Sequence, residues 1–402
     1  MGQDPQPLPA IRPGYTAAGE LGRYGENWHQ RAWLRRDPGF TGTSAITATQ
    51  VHGPPMGLNK YRDAQAAVEL AGETRETAAV VVKHRIPCGY ATGKNLVQSL
   101  ERAWQGDPEA AFGGILGFNR EIDMETAQAL GERPNPDGKK GWFIEVMIGP
   151  SISPEALAYF QGKEAKSGVR ILVTGPYRRP EGLESFPVPG GLLEQERDTS
   201  LFLARSVEEL FEDAHHLREE GLERDLLVGI VSKRKPSADE ARKLAGLVTF
   251  STQAVKYVPS NAITVARAYA DGCYQVLGVG AGQPKRNQST RIALETAAQN
   301  LGIEYDAEAG RASPYLTSVM RESHSRILPE GVGRDVYQRD VLYRTVLSSD
   351  AFFLPDGVLP ALDAGVRLII QPGGGKKDRD VIQAVDDAGG IMIFTGRRHF
   401  RH

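Results

Sequence analysis

A lysine and a histidine stand side by side where an apolar run of the chain ends. Lys83 and His84 follow the valines Val80–Val82 and precede a turn at Pro87. A buried strand that ends here would present both side chains at the edge of a sheet, where α/β proteins build their sites. An ammonium group can stabilise a developing oxyanion, and an imidazole can move a proton near neutral pH. The pair indicates acid–base chemistry, and an ordinary polar surface turn is the alternative.

Two arginine-containing stretches could bind an anion. Arg23 lies with Tyr24 in a dense polar cluster, and its guanidinium can contact a phosphate or a carboxylate through two hydrogen bonds. Arg398 and His402 belong to the basic chain end, which directly follows the predicted buried strand Ile391–Thr395. We therefore expect the chain end to be held against the domain, where it can close an anion site. A solvated loop and a frayed tail are the alternatives.

Glycines mark two further stretches where the backbone could approach a ligand. Phe112 offers a flat face and is followed by Gly113 and Gly114, although a plain turn explains this segment equally well. The run Gly278–Arg286 resembles a glycine-rich anion cradle between a strand and a helix. Its G-x-G-x-G spacing late in the chain differs from the G-x-G-x-x-G fingerprint of a dinucleotide site. We therefore do not expect a nicotinamide cofactor.

Short β-branched runs bounded by Gly or Pro alternate with longer amphipathic stretches, which is the pattern of an α/β fold. We expect buried strands at Ala79–Lys83, Arg170–Thr174, Leu226–Val231, Tyr274–Val279, Arg367–Gln371 and Ile391–Thr395. We expect helices at Tyr61–Ala71, Val207–Glu220, Ala238–Val255, Gln288–Leu301 and Asp378–Ala388. Several of these helices have Asp or Ser near the start and Gly beyond the end, as capped helices do.

Composition and length bound the class of protein. The 402 residues are too many for one ordinary core, so we expect a leader over residues 1–20, a first subdomain over 21–190 and a second over 191–402. The formal net charge of −2 creates no field that would attract nucleic acid or a membrane surface. Cys88 and Cys273 form neither a disulfide framework nor a thiolate metal site, so we expect no metal centre and a cytoplasmic location.

Stretches from Leu21 to His402, taken in chain order, resemble the aminoimidazole carboxamide ribonucleotide transformylase domain of a bifunctional purine-biosynthesis enzyme. They are LGRYGENWHQ, VVKHRIPCG, DPEAAFGGILGFNREID, KRKPS, VKYVPSNAI, GVGAGQPKRNQSTRIA, SDAFF, IIQPGG and FTGRRHFRH. Several specific motifs in one order are a much stronger signal than any one of them. The resemblance implies transfer of a formyl group from 10-formyltetrahydrofolate to the 5-amino group of the ribonucleotide.

The resemblance also implies roles for individual residues. Lys83 and His84 match the catalytic pair, with His84 as the general base, and Asn261 matches the residue near the transferred group. The substrate-binding residues would be Arg23, Tyr24, Arg398 and His402 at the phosphate, Phe112 and Gly113 beside the aminoimidazole carboxamide, Glu145 at the edge of that ring or of the folate, and Arg286 and Asn287 at the nucleotide or the folate. The substrate's 5-amino group is a poor nucleophile, so orientation and proton removal must do much of the catalysis.

Members of this family consist of two tandem cytidine-deaminase-like α/β subdomains and work as intertwined homodimers, with sites formed between the subunits. The zinc signature of the deaminases is absent here, so the resemblance implies the architecture without metal-dependent hydrolysis. Some relatives bind a structural potassium ion, for which we identify no ligands in this sequence. Only 22 residues precede Arg23, so we expect the transformylase without the cyclohydrolase half.

The sequence departs from the family pattern close to the implied catalytic pair. Ile86 stands where the family usually has Asn, Trp28 stands where it has Pro, and Pro284-Lys285 replaces a Met/Gln-Ser pair. Losing an amide beside the catalytic pair removes a hydrogen-bonding group and could change the amine that is formylated. A relative that formylates another amine and a non-catalytic nucleotide-binding relative therefore stay open as alternatives.

Overall fold

The computed structural model describes residues 14–22, 24–132, 141, 143–162, 168–218, 225–308 and 333–402. Its strands are β1 (Thr16–Glu20), β2 (Trp33–Arg36), β3 (Thr49–His52), β4 (Thr77–Lys83), β5 (Ile86–Gly93), β6 (Ile115–Phe118), β7 (Val146–Gly149), β8 (Arg170–Val173), β9 (Leu183–Val188), β10 (Gly191–Glu196), β11 (His215–Arg218), β12 (Asp225–Ile230), β13 (Ile263–Ala270), β14 (Cys273–Gly280), β15 (Val346–Ser349), β16 (Leu368–Gln371) and β17 (Ile391–Phe394). Its helices are α1 (Leu58–Ala71), α2 (Leu96–Trp104), α3 (Pro108–Ala111), α4 (Met124–Glu132), α5 (Pro154–Gln161), α6 (Ala238–Lys256), α7 (Arg286–Glu308), α8 (Arg334–Tyr343), α9 (Pro355–Asp363) and α10 (Asp378–Asp387). The predicted α/β class is confirmed.

The predicted buried strands are all present, with ends within a residue or two, as β4, β8, β12, β14, β16 and β17. The helices predicted near residues 61, 238, 288 and 378 are present as α1, α6, α7 and α10. Helix α6 begins with a complete capping box, in which Ser237 and Glu240 bond each other's backbone amides. Local patterning was therefore sufficient for these elements, whereas the buried strands β5, β6, β7, β13 and β15 were not predicted.

The helix predicted at Val207–Glu220 is wrong. The chain instead forms one 3-10 turn at Glu209–Phe211 and then strand β11, which pairs antiparallel with β12. Apolar side chains at 207, 210, 211 and 214 do recur at helical spacing, but pairing with the edge of the sheet satisfies the backbone of the last residues instead. Residues 219 and 220 of the predicted helix lie outside the described part of the chain.

Within the described residues, thirteen strands form one sheet in the order β11-β12-β17-β16-β15-β13-β14-β5-β4-β6-β7-β8-β3. The order β3-β8-β7-β6-β4-β5 is repeated by β12-β17-β16-β15-β13-β14, with parallel pairing at the same places in each half. The two halves meet where Ala91 of β5 pairs with Gln275 of β14. This repeat supports the predicted tandem arrangement, whereas the deaminase likeness and the boundary at 190/191 stay predictions.

Helices cover both faces of the sheet. Residues alternate along β4, so that Val80 and Val82 pack in one core with α1 and α6, while Ala79 and Val81 pack in another with α2, α4 and α5. In the second half of the sheet, helices α7 to α10 cover the face that α2 covers in the first half. Helices α1 and α6 therefore share one face and one core across the two halves. None of the described helices combines the length and the apolar character that crossing a membrane needs.

Strand direction brings the predicted site segments to one edge of the sheet. Strand β5 is antiparallel to both β4 and β14, so the end of β4 at Lys83 and the end of β14 at Gly280 face the same way. Strand β13 is antiparallel to β14 and to β15, so its first residue, Ile263, and the last residue of β15, Ser349, lie at that edge as well. We call this the site edge of the sheet, because the predicted site segments lie there.

Two hairpins lie outside the large sheet. Strand β1 pairs with β2, and it lies inside the segment 1–20 that we predict as a leader. Strands β9 and β10 form the second hairpin, at the predicted boundary between subdomains. The predicted division of the chain stays a prediction.

Candidate functional site

His84 and Arg85 form the whole loop of a tight hairpin. Strand β4 ends at Lys83, β5 begins at Ile86, and these two residues are register partners. The φ angles of His84 and Arg85 are 53° and 66°, so both residues occupy the left-handed region. Two-residue hairpin loops of type I′ need positive φ at both positions, for which Asn-Gly and Asp-Gly are preferred. The chain therefore holds a histidine and an arginine in a conformation that is uncommon for residues other than glycine.

Lys83 is fixed beside two aromatic rings. Its Nζ donates a hydrogen bond to the Phe112 carbonyl at 2.9 Å, and the Gly113 amide donates to the Phe143 carbonyl at 2.8 Å. The rings of Phe112 and Phe143 lie 5.5 Å apart between centroids and are 37% and 51% exposed. Exposed aromatic faces next to a cation can stack on a flat heterocycle. Phe143 was not among the predicted site residues, because an apolar residue before a strand carries no distinguishing signal.

Glu145 directly precedes strand β7, and its carboxylate binds two cationic side chains. Lys60 Nζ lies 3.0 Å and Arg170 Nη1 lies 3.2 Å from the same carboxylate oxygen, Oε2. The backbone connects Glu145 to the phenylalanine pair, because its amide donates to the carbonyl of Gly114 at 3.1 Å. Since both cations contact Oε2, the Oε1 atom can accept a hydrogen bond from a ligand. Lys60 was missed in the sequence because it lies on a helix far away along the chain.

Asn261 and Arg286 form a second cluster on the site edge. Arg286 donates to the Asn261 side-chain oxygen at 2.6 Å and also pairs with the fully buried carboxylate of Asp350. The Asn261 amide group donates to the carbonyl of Gln283 at 2.8 Å. The donor and the acceptor of the Asn261 side chain are therefore both engaged. Asn287 donates to Asp356 Oδ2 at 2.8 Å, at the start of α9.

Close packing explains two glycines of the run Gly278–Arg286, namely Gly278 and Gly280. A Cβ atom at Gly278 would lie 2.0 Å from the Ala293 carbonyl, and one at Gly280 would lie 1.9 Å from the Ser289 carbonyl. Strand β14 therefore touches the first turns of α7 closely, and only glycine fits there. The anion cradle suggested by the sequence is not needed to explain these two positions.

The chain end is held against the domain, as predicted. Ser260 and Arg401 exchange hydrogen bonds, because the Ser260 amide donates to the Arg401 carbonyl at 2.9 Å and the Arg401 amide donates to Ser260 Oγ at 3.0 Å. The buried ring of His399 contacts Asp198 Oδ2 at 2.6 Å. Arg398 is exposed and stacks its guanidinium over the Phe400 ring. The exposed side chain of His402 lies against the same ring.

Helix α1 connects the parts of the site. Arg62 pairs with Glu26 of the N-terminal polar loop at 3.2 Å, and Asp63 Oδ1 accepts from the Arg85 amide at 2.8 Å. Farther along the helix, Glu69 pairs with Arg401 of the chain end at 2.7 Å. Tyr24 of the polar loop is 41% exposed, and Arg23 lies outside the described residues.

Helix α1 and the chain end also border a cavity of about 420 Å³. Arg85, Lys256, Arg401 and His402 are among the residues that line it. Burial lowers the pKa of Lys256, whose Nζ lies 3.8 Å from Asp198 Oδ1. The cavity joins the Lys83–His84 hairpin to the chain end, since Arg85 and His402 belong to these two segments.

Seven of the predicted site residues form two clusters, whereas Tyr24, His84, Arg398 and His402 belong to neither. The first contains Lys83, Phe112, Gly113 and Glu145, and the second contains Asn261, Arg286 and Asn287. No hydrogen bond or ion pair of the described residues joins Lys83 or His84 directly to Asn261. Both clusters open on the same edge of the sheet.

Thiol chemistry would need a reactive cysteine, and metal chemistry would need clustered ligands among the described residues. Burial raises the pKa of the Cys88 thiol to about 12, so the thiol stays protonated at neutral pH and packs as a small apolar group. In the part of the chain that the structure describes, no three His, Cys, Asp or Glu side chains come together as a metal site. The groups available for chemistry are the ammonium, imidazole, amide and guanidinium groups described above.

The sequence matches one family model over residues 8–296, more than half of the chain. That model is described as the AICARFT/IMPCHase bienzyme, which names a formyltransferase and a cyclohydrolase of purine biosynthesis. The matched residues include the Lys83–His84 hairpin, the Phe112–Phe143 pair, Glu145, Asn261 and Arg286. The chain is an enzyme of the AICARFT/IMPCHase bienzyme family.

Proposed function

We propose that this enzyme is a phosphoribosylaminoimidazolecarboxamide formyltransferase. It would transfer the formyl group of 10-formyltetrahydrofolate to the 5-amino group of aminoimidazole carboxamide ribonucleotide. The observation that carries the proposal is the Lys83 ammonium held 2.9 Å from the Phe112 carbonyl, with His84 exposed in the adjoining turn. A cation, an exposed imidazole and an aromatic pair suit an amine on a flat ring that must lose a proton as it attacks.

In this mechanism His84 takes the proton from the amine as its nitrogen attacks the formyl carbon. Negative charge then grows on the formyl oxygen, and the Lys83 ammonium and the Asn261 amide stabilise it. Because the Asn261 amide donates to Gln283 in the free enzyme, substrate binding must exchange one partner for another. The products are the formylated amine and tetrahydrofolate, whose departing nitrogen takes up a proton.

The remaining residues bind and orient the two substrates. Arg23, Tyr24, Arg398 and His402 are proposed to bind the phosphate, and Phe112 with Gly113 the heterocycle. Glu145 offers its Oε1 atom to the ring or the folate, while Arg286 and Asn287 contact the nucleotide or the folate. Binding energy from the phosphate would position the amine, so loss of a phosphate ligand should raise KM more than it lowers proton transfer.

We also propose a homodimer with sites at the subunit interface. The β9–β10 hairpin supports it, because Leu183, Phe186, Val188, Leu192 and Leu193 are all exposed by about two-fifths or more. An isolated two-stranded hairpin is marginally stable and its apolar side chains need a cover, which a second copy of the chain would supply. A cytoplasmic location is proposed as well, since the free thiols of Cys88 and Cys273 suit a reducing compartment. A structural potassium ion stays a prediction without assigned ligands.

A spectrophotometric assay for tetrahydrofolate release tests the proposed activity. Purified enzyme, 10-formyltetrahydrofolate and aminoimidazole carboxamide ribonucleotide should give release that needs both substrates. A panel of other amines, each at the same concentration, tests the alternative acceptor that the Ile86 position suggests. If tetrahydrofolate is released only with another amine, that amine is the acceptor and the ribonucleotide is not. Saturable binding of the ribonucleotide without any tetrahydrofolate release would indicate a non-catalytic relative.

A further inference from the structure

The hairpin that carries His84 has a conformation that its own residues disfavour. His84 and Arg85 have φ angles of 53° and 66°, and neither is glycine, asparagine or aspartate. Left-handed backbone is disfavoured for side chains of this size, and it persists only where the surroundings hold it. Something outside the hairpin must therefore stabilise the loop.

Asp63 makes the contact that can do this. Its Oδ1 atom accepts a hydrogen bond of 2.8 Å from the amide of Arg85, the second residue of the loop. A carboxylate that accepts from a backbone amide forms a charge-assisted hydrogen bond, which is stronger than one between neutral groups. In the described chain no ion pair joins Asp63 to an arginine or a lysine. The backbone of the loop is therefore its main partner, and the bond is not a by-product of a surface salt bridge.

Asp63 is placed by a rigid element. Helix α1 buries Ala64 and Ala67 completely against the sheet. A Cβ atom at Gly117 of β6 would lie 2.5 Å from the Ala67 carbonyl, so helix and strand touch at their backbones. A carboxylate on such a helix is fixed relative to β4 and β6, and it can therefore fix the loop that joins β4 to β5.

The electrostatics at Asp63 agree with this geometry. Burial raises the pKa of the Asp63 carboxyl, while hydrogen bonds from the amides of Arg85 and His84 and the charges of His84 and Arg62 oppose that rise. The carboxylate is thus half-buried and faces the loop from the side of α1. Both residues of the loop contribute to its environment.

We propose that Asp63 is the positioning residue of the His84 hairpin: its carboxylate holds the His84–Arg85 loop in the left-handed conformation and so sets the imidazole beside Lys83. The inference rests on the proposed function in one respect, which is that His84 is the base. Asp63 touches neither substrate nor reacting atoms in this account. It acts through the backbone of the loop.

Three substitutions separate positioning from general stability. Asp63→Ala removes the acceptor and should lower kcat roughly 10- to 100-fold while KM for the nucleotide changes by less than about threefold, because a misplaced group costs rate more than binding. Asp63→Asn keeps an Oδ1 acceptor and should retain most of the activity. Arg85→Gly lets the loop take positive φ without help, so Asp63→Ala in that background should lose much less activity than in the wild type.

Hydrogen exchange gives a readout that does not depend on activity. With arginines labelled by ¹⁵N, the Arg85 amide should exchange roughly tenfold faster or more in Asp63→Ala than in wild type, because its acceptor is gone. Asp239→Ala removes an exposed aspartate on α6 and is the matched control, for which exchange and kcat should both be unchanged.

Two results would overturn the proposal. One is an Arg85 amide that stays protected in Asp63→Ala, and the other is faster exchange with an unchanged kcat. Failure of the proposed function looks different, because His84→Ala would then leave turnover intact whatever the Arg85 amide does. The exchange measurement would still decide whether Asp63 holds the loop.

Discussion

Lys83 carries three N–H donors, and the Phe112 carbonyl accepts one of them at 2.9 Å. Two donors remain for a ligand, so the side chain can be oriented and available at once. Asn261 differs, because its amide donates to Gln283 and its oxygen accepts from Arg286 in the free enzyme. At the scale of single residues the first cluster is therefore ready for a ligand, whereas the second must rearrange.

The contact between His399 and Asp198 gives a prediction that depends on pH. Burial raises the pKa of Asp198, but the hydrogen bond and charge of His399 and the charge of Lys256 lower it by more, so the net pKa lies below the ordinary value of an aspartate. The ionised carboxylate thus stabilises the folded protein above its unfolded pKa, and this contribution is lost as the pH falls through the lower folded pKa. Asp198→Asn should lower the free energy of unfolding at pH 7 by about 1 kcal/mol, a modest figure because the side chain is 37% exposed.

Urea unfolding at a series of pH values measures this effect. The difference in unfolding free energy between wild type and Asp198→Asn should shrink as the pH falls through the lowered folded pKa of Asp198. Asp340→Asn, which breaks an exposed pair within α8, is the control and should change the unfolding free energy little. A difference that grows towards low pH would have the wrong sign and would contradict the assignment.

Helix α1 is the element on which the site depends most. It contacts the N-terminal loop through Arg62, the Lys83–His84 hairpin through Asp63 and the chain end through Glu69. Its hydrophobic spacing was enough to predict the helix. Its contacts were not predictable, since Asp63 and Arg85 lie 22 positions apart and nothing local marks the pair.

The same limit explains which predictions succeeded and which did not. The positions of Lys83, His84 and the chain end could be predicted because each directly adjoins a buried strand, whereas the chemical roles of these residues stay predictions. The helix predicted at Val207–Glu220 was wrong because strand pairing with β12 competes with a local apolar pattern. Lys60 and Phe143 were missed because their role depends on neighbours that only the folded sheet brings together.

Close packing of α1 on the sheet can be tested with one methyl group. Gly117→Ala would place a Cβ atom 2.5 Å from the Ala67 carbonyl, so the helix must shift. We expect a loss of roughly 1–3 kcal/mol in the free energy of unfolding and a lower kcat, because Lys60 and Asp63 move with the helix. Gly168→Ala meets no atom within 4 Å and is the matched control. Urea unfolding and the tetrahydrofolate assay measure both effects, and equal stability of the two variants would contradict the packing argument.

At the scale of the whole molecule, one sheet contains two copies of the same strand order that meet at β5 and β14. The repeat brings the Lys83 and the Asn261 clusters to one edge of the sheet, although the chain segments that carry them are far apart. Within the described residues the two clusters share no direct contact. In the proposed homodimer, the Lys83 cluster of one subunit would lie against the Asn261 cluster of the other subunit. The two clusters together would then complete the site.

The exposed β9–β10 hairpin provides the test of that assembly. Leu193 is 60% exposed and pairs with Phe186 across the hairpin, so Leu193→Asp puts a charge into the proposed interface. We expect the variant to be monomeric by light scattering at a concentration where the wild type is dimeric, and to lose activity with the dimer. Leu359→Asp, a change at a 45% exposed leucine on α9, is the control and should stay dimeric. A fully dimeric Leu193→Asp enzyme would place the interface elsewhere.

In the proposed mechanism His84 removes the proton from the attacking amine. The most direct measurement is kcat for tetrahydrofolate release by His84→Ala, beside His216→Ala, which removes an exposed histidine on β11. We predict a loss of roughly 100-fold or more for His84→Ala with an unchanged melting temperature, and wild-type turnover for His216→Ala. A His84→Ala enzyme that turns over within a few-fold of wild type would contradict it.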